Sequence, residues 1–280
     1  MRYDEWHASG ERVRLLGKEA FVRVSGSGRG LLFLHGFPTS SYDWNESIAL
    51  LEKRYRCVAF DFWGFGASDP LDRYDYDQQT ELTLAVAAHA GLTRAIVVAH
   101  DYGVSVAHEL LARKPPALSL DGVVYLNGGL EPHLHRPIAI QRLLASPLGA
   151  LLAPLLVQKA TFVRSMARIL TVPDRFDTNE HWRAVSAHGA HRRAHALLHY
   201  IAERRSRRER WVASFAERDP AIALAWGIRD PVSGAHVLEW ARRERPDAEV
   251  LALPVGHYPQ LEAASEVASL IAHFAEKVGR

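Results

Sequence analysis

Cysteine is nearly absent from this 280-residue chain, which has Cys57 alone and only two methionines. A single thiol excludes a disulfide framework and a cysteine-based zinc site, and it suits a reducing compartment. Cys57 sits in the apolar run Cys57-Val58-Ala59-Phe60, where a thiol packs as a small hydrophobe on a buried strand. Long apolar runs are also missing. No stretch of about eighteen apolar residues occurs, so a membrane-spanning helix is not expected. The longest candidate, residues 143–157, is interrupted by Pro147 and Pro154. The first residues lack the apolar core of a signal peptide, so a cytoplasmic location is expected. Charge of one sign is lacking: 34 Lys and Arg face 32 Asp and Glu, for a net charge of +2. No whole-molecule field would draw in nucleic acid. There is no Gly-x-Ser-x-Gly, no dinucleotide fingerprint and no Walker loop, and neither an internal repeat nor a low-complexity linker.

What is present is an alternation of short apolar runs with longer helical patterns, which predicts a mostly parallel sheet with helices on both faces. Residues 11–16 and 18–24 read as a strand pair turning at Gly17. Further strands are expected at 30–35, 55–61, 93–99, 118–126, 221–226 and 249–253, making eight. Helices are expected at 77–90, at 103–113 before Pro115-Pro116, and at 262–278. From 131 to 215 the pattern is helical throughout and rich in His, Arg, Leu and Ala. The expected organisation is a core of residues 1–130 and 216–280 interrupted by a helical cap of 131–215. Sites in such sheets lie beyond the carboxyl ends of the strands, where an insertion would cover them.

The segment Val97-Val98-Ala99-His100-Asp101-Tyr102-Gly103-Val104 runs a buried strand into a helix through a tight turn with small flanks. A nucleophile projected from a strained turn needs this layout. The residue at the turn is Asp101; Ser105 lies about one turn into the helix, poorly placed to replace it. A carboxylate attacks saturated carbon and forms an alkyl ester, which water then cleaves at the carboxyl carbon. The leaving group is then a halide or an epoxide oxygen. Asp is also a favoured helix N-cap, so the partners decide. His257, in Gly256-His257-Tyr258-Pro259 after the last strand, is placed to act as a general base. Asp230, after the strand ending at Trp226, would orient the imidazole, and Pro231 lets it cap a helix as well. Asn127 occupies another post-strand position but cannot serve as an anion. The chain order Asp101, Asp230, His257 is nucleophile, acid, base. Backbone N–H groups of Phe37 and Tyr102 would form an oxyanion hole. The glycine-rich turn from Asp61 to Asp69 reads as structural support. The arginines between 204 and 210 read as a solvated helix face, partly paired with Glu203 and Glu209. His181, His188, His191, His195 and His199 include i,i+4 pairs, yet no acidic helper accompanies them. Neither a metal nor a cofactor is expected.

These motifs together resemble the epoxide hydrolase and haloalkane dehalogenase branch of the α/β-hydrolase superfamily. The resemblance is closer to the mesoderm-specific transcript protein family. It rests on His35-Gly36-Phe37-Pro38-Thr39-Ser40-Ser41-Tyr42-Asp43-Trp44, His100-Asp101-Tyr102-Gly103, Leu126-Asn127-Gly128-Gly129 and His135-Arg136-Pro137. It continues in His199-Tyr200-Ile201 with the Arg-rich run to Trp211, and in His257-Tyr258-Pro259-Gln260-Leu261-Glu262. The resemblance implies an α/β-hydrolase fold and a hydrolase acting on an apolar small molecule. Dehalogenases of this branch hold the halide with a Trp after the nucleophile; here Tyr102 stands there, and Phe37 offers no side-chain donor. Trp182 or His133 would have to compensate. Epoxide hydrolases protonate the ring oxygen with a pair of cap tyrosines; Tyr200 is the single tyrosine between 131 and 215, with His133 or His135 as a candidate second donor. Epoxide hydrolysis is the preferred expectation and haloalkane dehalogenation the alternative. A non-catalytic binding protein on a hydrolase fold is the reading of another class.

Overall fold

The computed structural model describes residues 1–279 except 138, 145, 147 and 148; Pro147 therefore lies outside the described residues. Eight strands form one sheet: β1 Glu11–Leu15, β2 Lys18–Ser25, β3 Arg29–Leu34, β4 Tyr55–Phe60, β5 Arg94–Asp101, β6 Ser119–Gly128, β7 Ile222–Gly227 and β8 Glu249–Leu253. Their order is β1-β2-β4-β3-β5-β6-β7-β8. β2 runs antiparallel to β1 and β4, and the remaining pairs are parallel. Helices α1 Tyr3–Ala8, α2 Asn45–Leu51, α3 Tyr76–His89 and α4 Tyr102–Arg113 precede β6. Between β6 and β7 come α5 Ala139–Leu144, α6 Gly149–Leu156, α7 Lys159–Ile169, α8 Thr178–Ser186, α9 Ala194–Leu197 and α10 Tyr200–Ala216. α11 Ala235–Glu244, α12 Pro259–Glu262 and α13 Ala264–Lys277 complete the chain. Among the described residues no helix is long and apolar enough to cross a membrane.

The central strands read as unbroken apolar runs because both faces of the sheet are covered. Along β5, Val97 and Ala99 point to the face packed by Leu82 and Val86 of α3 and Val104 and Leu110 of α4. Ile96 and Val98 point to the other, packed by Ile48 of α2 and Val267, Ile271 and Phe274 of α13. Each Val, Leu, Ile or Phe among them contributes about 1.5–3 kcal/mol by leaving water.

Three local expectations need correction. The β1–β2 turn uses two residues, Leu16 (φ 48°) and Gly17 (φ 89°), both left-handed, as a two-residue hairpin loop that follows strand twist requires. The last helix does not run unbroken from 262. Glu262 turns its buried carboxylate inward to accept from the N–H groups of Gly256 (2.9 Å) and Val172 (2.9 Å), and the chain kinks at Ala263 before α13. The arginines of α10 are only in part a solvated face: Arg205 and Arg210 are exposed and Arg207 pairs with Glu203 as expected, but the others turn toward the core. Arg204 is 1% exposed. Arg207 binds Asp77 (2.8 Å), Glu203 (2.7 Å) and Glu109 (3.1 Å), Arg208 binds Glu131 (2.6 Å), and Arg210 pairs with Glu109. The acids of α3 and α4 draw this face onto the sheet-bearing part of the molecule.

Candidate active site

β5 ends in the turn that projects Asp101. Its backbone is left-handed (φ 43°, ψ −100°), a strained conformation for a non-glycine residue, and it persists because the surroundings are closely fitted. A Cβ on Gly36 would lie 2.7 Å from His100 Nδ1 and 2.9 Å from Asp101 Cβ; one on Gly103 would lie 2.5 Å from the Leu34 carbonyl oxygen. Only glycine admits these approaches. The Gly103 N–H donates to the His35 carbonyl (3.0 Å). His35 in turn accepts from the Phe62 N–H (3.0 Å) and donates to the Gly36 carbonyl (2.9 Å), tying the loop after β3 to the glycine-rich turn. In that turn Asp61 accepts from the Ser41 and Ala67 N–H groups (2.8 Å each), in keeping with structural support.

The Phe37 N–H donates to Asp101 Oδ2 (2.9 Å). Tyr102 begins α4, whose first-turn N–H groups have no intrahelical acceptor. His257 Nε2 stands 3.8 Å from Asp101 Oδ1, and His257 Nδ1 donates to Asp230 Oδ2 (2.7 Å). Asp101, Asp230 and His257 thus converge, all buried. Burial opposes ionisation of Asp230, but His257 and the hydrogen bonds from Ser233 and Val232 outweigh it and hold its carboxyl far below the usual range. Burial likewise opposes the Asp101 charge, and His257, Arg204, His100 and the Phe37 N–H together bring it below the ordinary carboxylate value. Burial pulls His257 down, while Asp230 first and Asp101 second raise it above an ordinary histidine.

Sequence reasoning missed several contributors. Asn127, set aside as no anion, donates to Asp230 Oδ2 (2.9 Å) and accepts from the Gly227 N–H (2.6 Å), fixing the acid from behind. His100 donates from Nε2 to the His257 carbonyl (2.8 Å) and is pushed by burial to about 3, so it stays neutral. The His257 N–H donates to the Ile169 carbonyl (2.8 Å), so the end of α7 braces the loop carrying the imidazole. Arg204 reaches beneath the turn: Nη2 donates to the Asp101 carbonyl (3.0 Å) and lies 3.8 Å from Oδ1, while Nε donates to Ser105 Oγ (2.7 Å) and Tyr76 Oη (3.1 Å). A signal for Arg204 did exist. It shares the helical stripe Tyr200, Arg204, Trp211, Phe215, whose other members are aromatic.

The remaining candidates are placed unequally. Tyr200 is buried against the rings of Phe37 (5.9 Å) and Tyr102 (5.5 Å), with Arg204 4.5 Å over its own ring. Its hydroxyl has no hydrogen-bond partner among the described residues, and burial, then Asp101, keeps it firmly protonated. His135 is half-buried with Nε2 unpartnered among the described residues, and burial and then Arg204 lower it to about 4. His133 lies at the surface beside Glu131, its side chain 62% exposed. Trp182 is half-buried against Phe162 and His191, and neither it nor Tyr200 is among the residues lining the cavity over Asp101. Of the histidines at 181–199, His181 is turned inward onto Phe176 (4.1 Å). Among the described residues no cluster of three or more potential metal ligands forms.

Over Asp101 and His257 lies a small apolar cavity of about 90 Å³, walled by Phe37 and Phe65 and by Leu156, Phe162, Met166 and Leu197 of the inserted helices. The sequence matches the model described as the alpha/beta hydrolase family over residues 31–270, and the chain belongs to that family. LipZ of Mycobacterium tuberculosis is 36% identical over 276 residues, covering 92% of this chain and 93% of that protein. The human mesoderm-specific transcript homolog protein is 34% identical over 279 residues, covering 92% of this chain and 83% of its own, in agreement with the resemblance drawn from the motifs. The crystal structure of haloalkane dehalogenase DbeA from Bradyrhizobium elkani superposes with a TM-score of 0.82 at 22% identity, covering 97% of this chain and 98% of that one. This last likeness is one of fold. The protein is thus a hydrolase by family.

Proposed function

We propose that the protein is an epoxide hydrolase working through an alkyl ester of Asp101, with residues 131–215 as the cap over its substrate. The observation that carries this reading is a buried carboxylate at the strained turn, held by the Phe37 N–H and facing His257, beside a tyrosine packed on Phe37 and Tyr102 whose hydroxyl has no partner among the described residues. Asp101 Oδ1 attacks a ring carbon as the ring C–O bond breaks, and the departing oxygen takes the proton of Tyr200. His257 then removes a proton from water, which attacks the carboxyl carbon while the Phe37 and Tyr102 N–H groups stabilise the tetrahedral oxyanion. Collapse releases the diol, whose new hydroxyl takes the proton from His257, and the Asp101 acid returns a proton to the Tyr200 phenolate. Water is the only co-reactant, and the cycle needs no cofactor. Esterification also removes the Asp101 charge that helps hold the imidazole protonated, so His257 becomes a readier base when the ester awaits water.

Dehalogenation fits less well. Tyr102 packs its ring on Tyr76 (5.0 Å) and Phe65 (5.4 Å), and Phe37 brings no side-chain donor. The test is mass spectrometry of His257→Ala incubated with terminal epoxides and with bromoalkanes. The expected product is an Asp101 peptide heavier by the whole epoxide. An adduct from bromoalkanes alone would assign a dehalogenase, and no adduct from either would favour a non-catalytic binding protein.

A further inference from the structure

The cycle above moves a negative charge. It leaves Asp101 when the ester forms and reappears on Tyr200 when that hydroxyl gives up its proton. Both side chains are buried, and an uncompensated charge in either place would be strongly disfavoured. Arg204 touches both ends of this path, with its guanidinium 3.8 Å from Asp101 Oδ1 and 4.5 Å over the ring of Tyr200. We propose that Arg204 is the fixed counter-ion of a charge that alternates between Asp101 and Tyr200, a positioning residue for the reaction; the inference rests on the epoxide reading.

Its geometry suits the role. Bonds to the Asp101 carbonyl, Ser105 Oγ and Tyr76 Oη immobilise the group. The 3.8 Å to Oδ1 is too long for a hydrogen bond, so the attacking oxygen keeps its lone pairs while still sharing the positive charge. Arginine remains charged throughout the working pH range. The chain makes room for it at Gly129, where a Cβ would come within 2.8 Å of Nη1. The titratable groups facing Tyr200 are Asp101 and Tyr102 from the turn, Tyr76 from α3, Tyr258 from the loop before α12 and Arg204 from its own helix. Arg204 favours the ionised form of both Asp101 and Tyr200.

The test uses the full chain carrying His257→Ala, which accumulates the ester. Adduct formation on Asp101 is timed by mass spectrometry with a terminal epoxide, and phenolate is followed by ultraviolet difference absorption as pH is varied. Added Arg204→Gln should slow adduct formation by roughly tenfold or more and raise the pH midpoint of the phenolate signal by about one unit. Arg204→Lys, which keeps the charge, should recover most of both. Ser105→Ala, which cuts one anchor of the guanidinium, should shift both in the same direction by less, and it carries the test should Arg204→Gln fail to fold by circular dichroism. Unchanged rate and midpoint in a folded Arg204→Gln, or in Ser105→Ala where Gln does not fold, overturn the counter-ion role. A parent variant giving no epoxide adduct overturns the epoxide reading beneath it, whereas an epoxide adduct without phenolate leaves that reading standing and overturns the counter-ion role.

Discussion

Asp230 keeps its charge in a buried place because His257 lies against it (2.7 Å) and the Ser233 hydroxyl (2.7 Å), the Val232 and Ser233 N–H groups (2.8 and 3.0 Å) and the Asn127 amide (2.9 Å) all donate to it. That leaves it free to fix the tautomer of His257. Asp230→Asn should therefore cut ester hydrolysis by about 10³–10⁴-fold while leaving adduct formation on Asp101 nearly unchanged, as rapid-quench single turnovers would show. Asp101, Asp230 and His257 were legible as candidates because each follows a strand with small or proline flanks, in a fixed chain order. Arg204 was read with the arginines around it as solvated, because its partners Asp101, Ser105 and Tyr76 lie far away in sequence and its aromatic stripe alone did not single it out. Asn127 was read for the charge it lacks, whereas its contribution is a pair of hydrogen bonds that only the closed sheet brings together.

At the scale of elements, α10 is clamped to α3 and α4 by charge. Glu109, 1% exposed, takes the Arg113, Arg207 and Arg210 guanidinium groups and the Trp211 indole (2.8 Å). Burial alone would raise its carboxyl, but Arg210, Arg113 and Trp211 bring it to about 2; Asp77 is likewise held to about 2, chiefly by Arg207. Both are depressed carboxylates. Their stabilisation is complete above the unfolded values near ~4 and is lost as pH falls toward ~2. Trp211 fluorescence should report α10 loosening across that interval. Glu109→Gln should destabilise the fold by about 2 kcal/mol at neutral pH, because Arg113, Arg207, Arg210 and the Trp211 indole lose the buried anion they share; urea unfolding would measure it. At the β1–β2 turn, Leu16 is 63% exposed with φ 48°, so Leu16→Gly should stabilise by a few tenths of a kcal/mol to ~1 kcal/mol. The strands were legible from their apolar runs. α2 was not, since it is short and its buried stripe includes Asn45 and Ser47.

For the molecule as a whole, the strand count and mostly parallel character followed from the alternation of patterns, but the strand order, which brings β5, β6, β7 and β8 side by side, is a long-range outcome. It is this order that lets residues at 101, 127, 230 and 257 meet over one edge of the sheet. The inserted helices contribute aliphatic walls to the cavity and, through the carbonyl of Ile169, a support for His257. Their mutual packing sets the pocket, and apolar spacing alone does not encode it. The account stands on one covalent event, the capture of a carbon atom by Asp101 followed by cleavage at its own carboxyl carbon. A single turnover in oxygen-18 water, with enzyme in excess over a terminal epoxide, tests it most directly. The account predicts label in the Asp101 peptide and none in the first diol released; label in the diol with an unlabelled Asp101 peptide would contradict it.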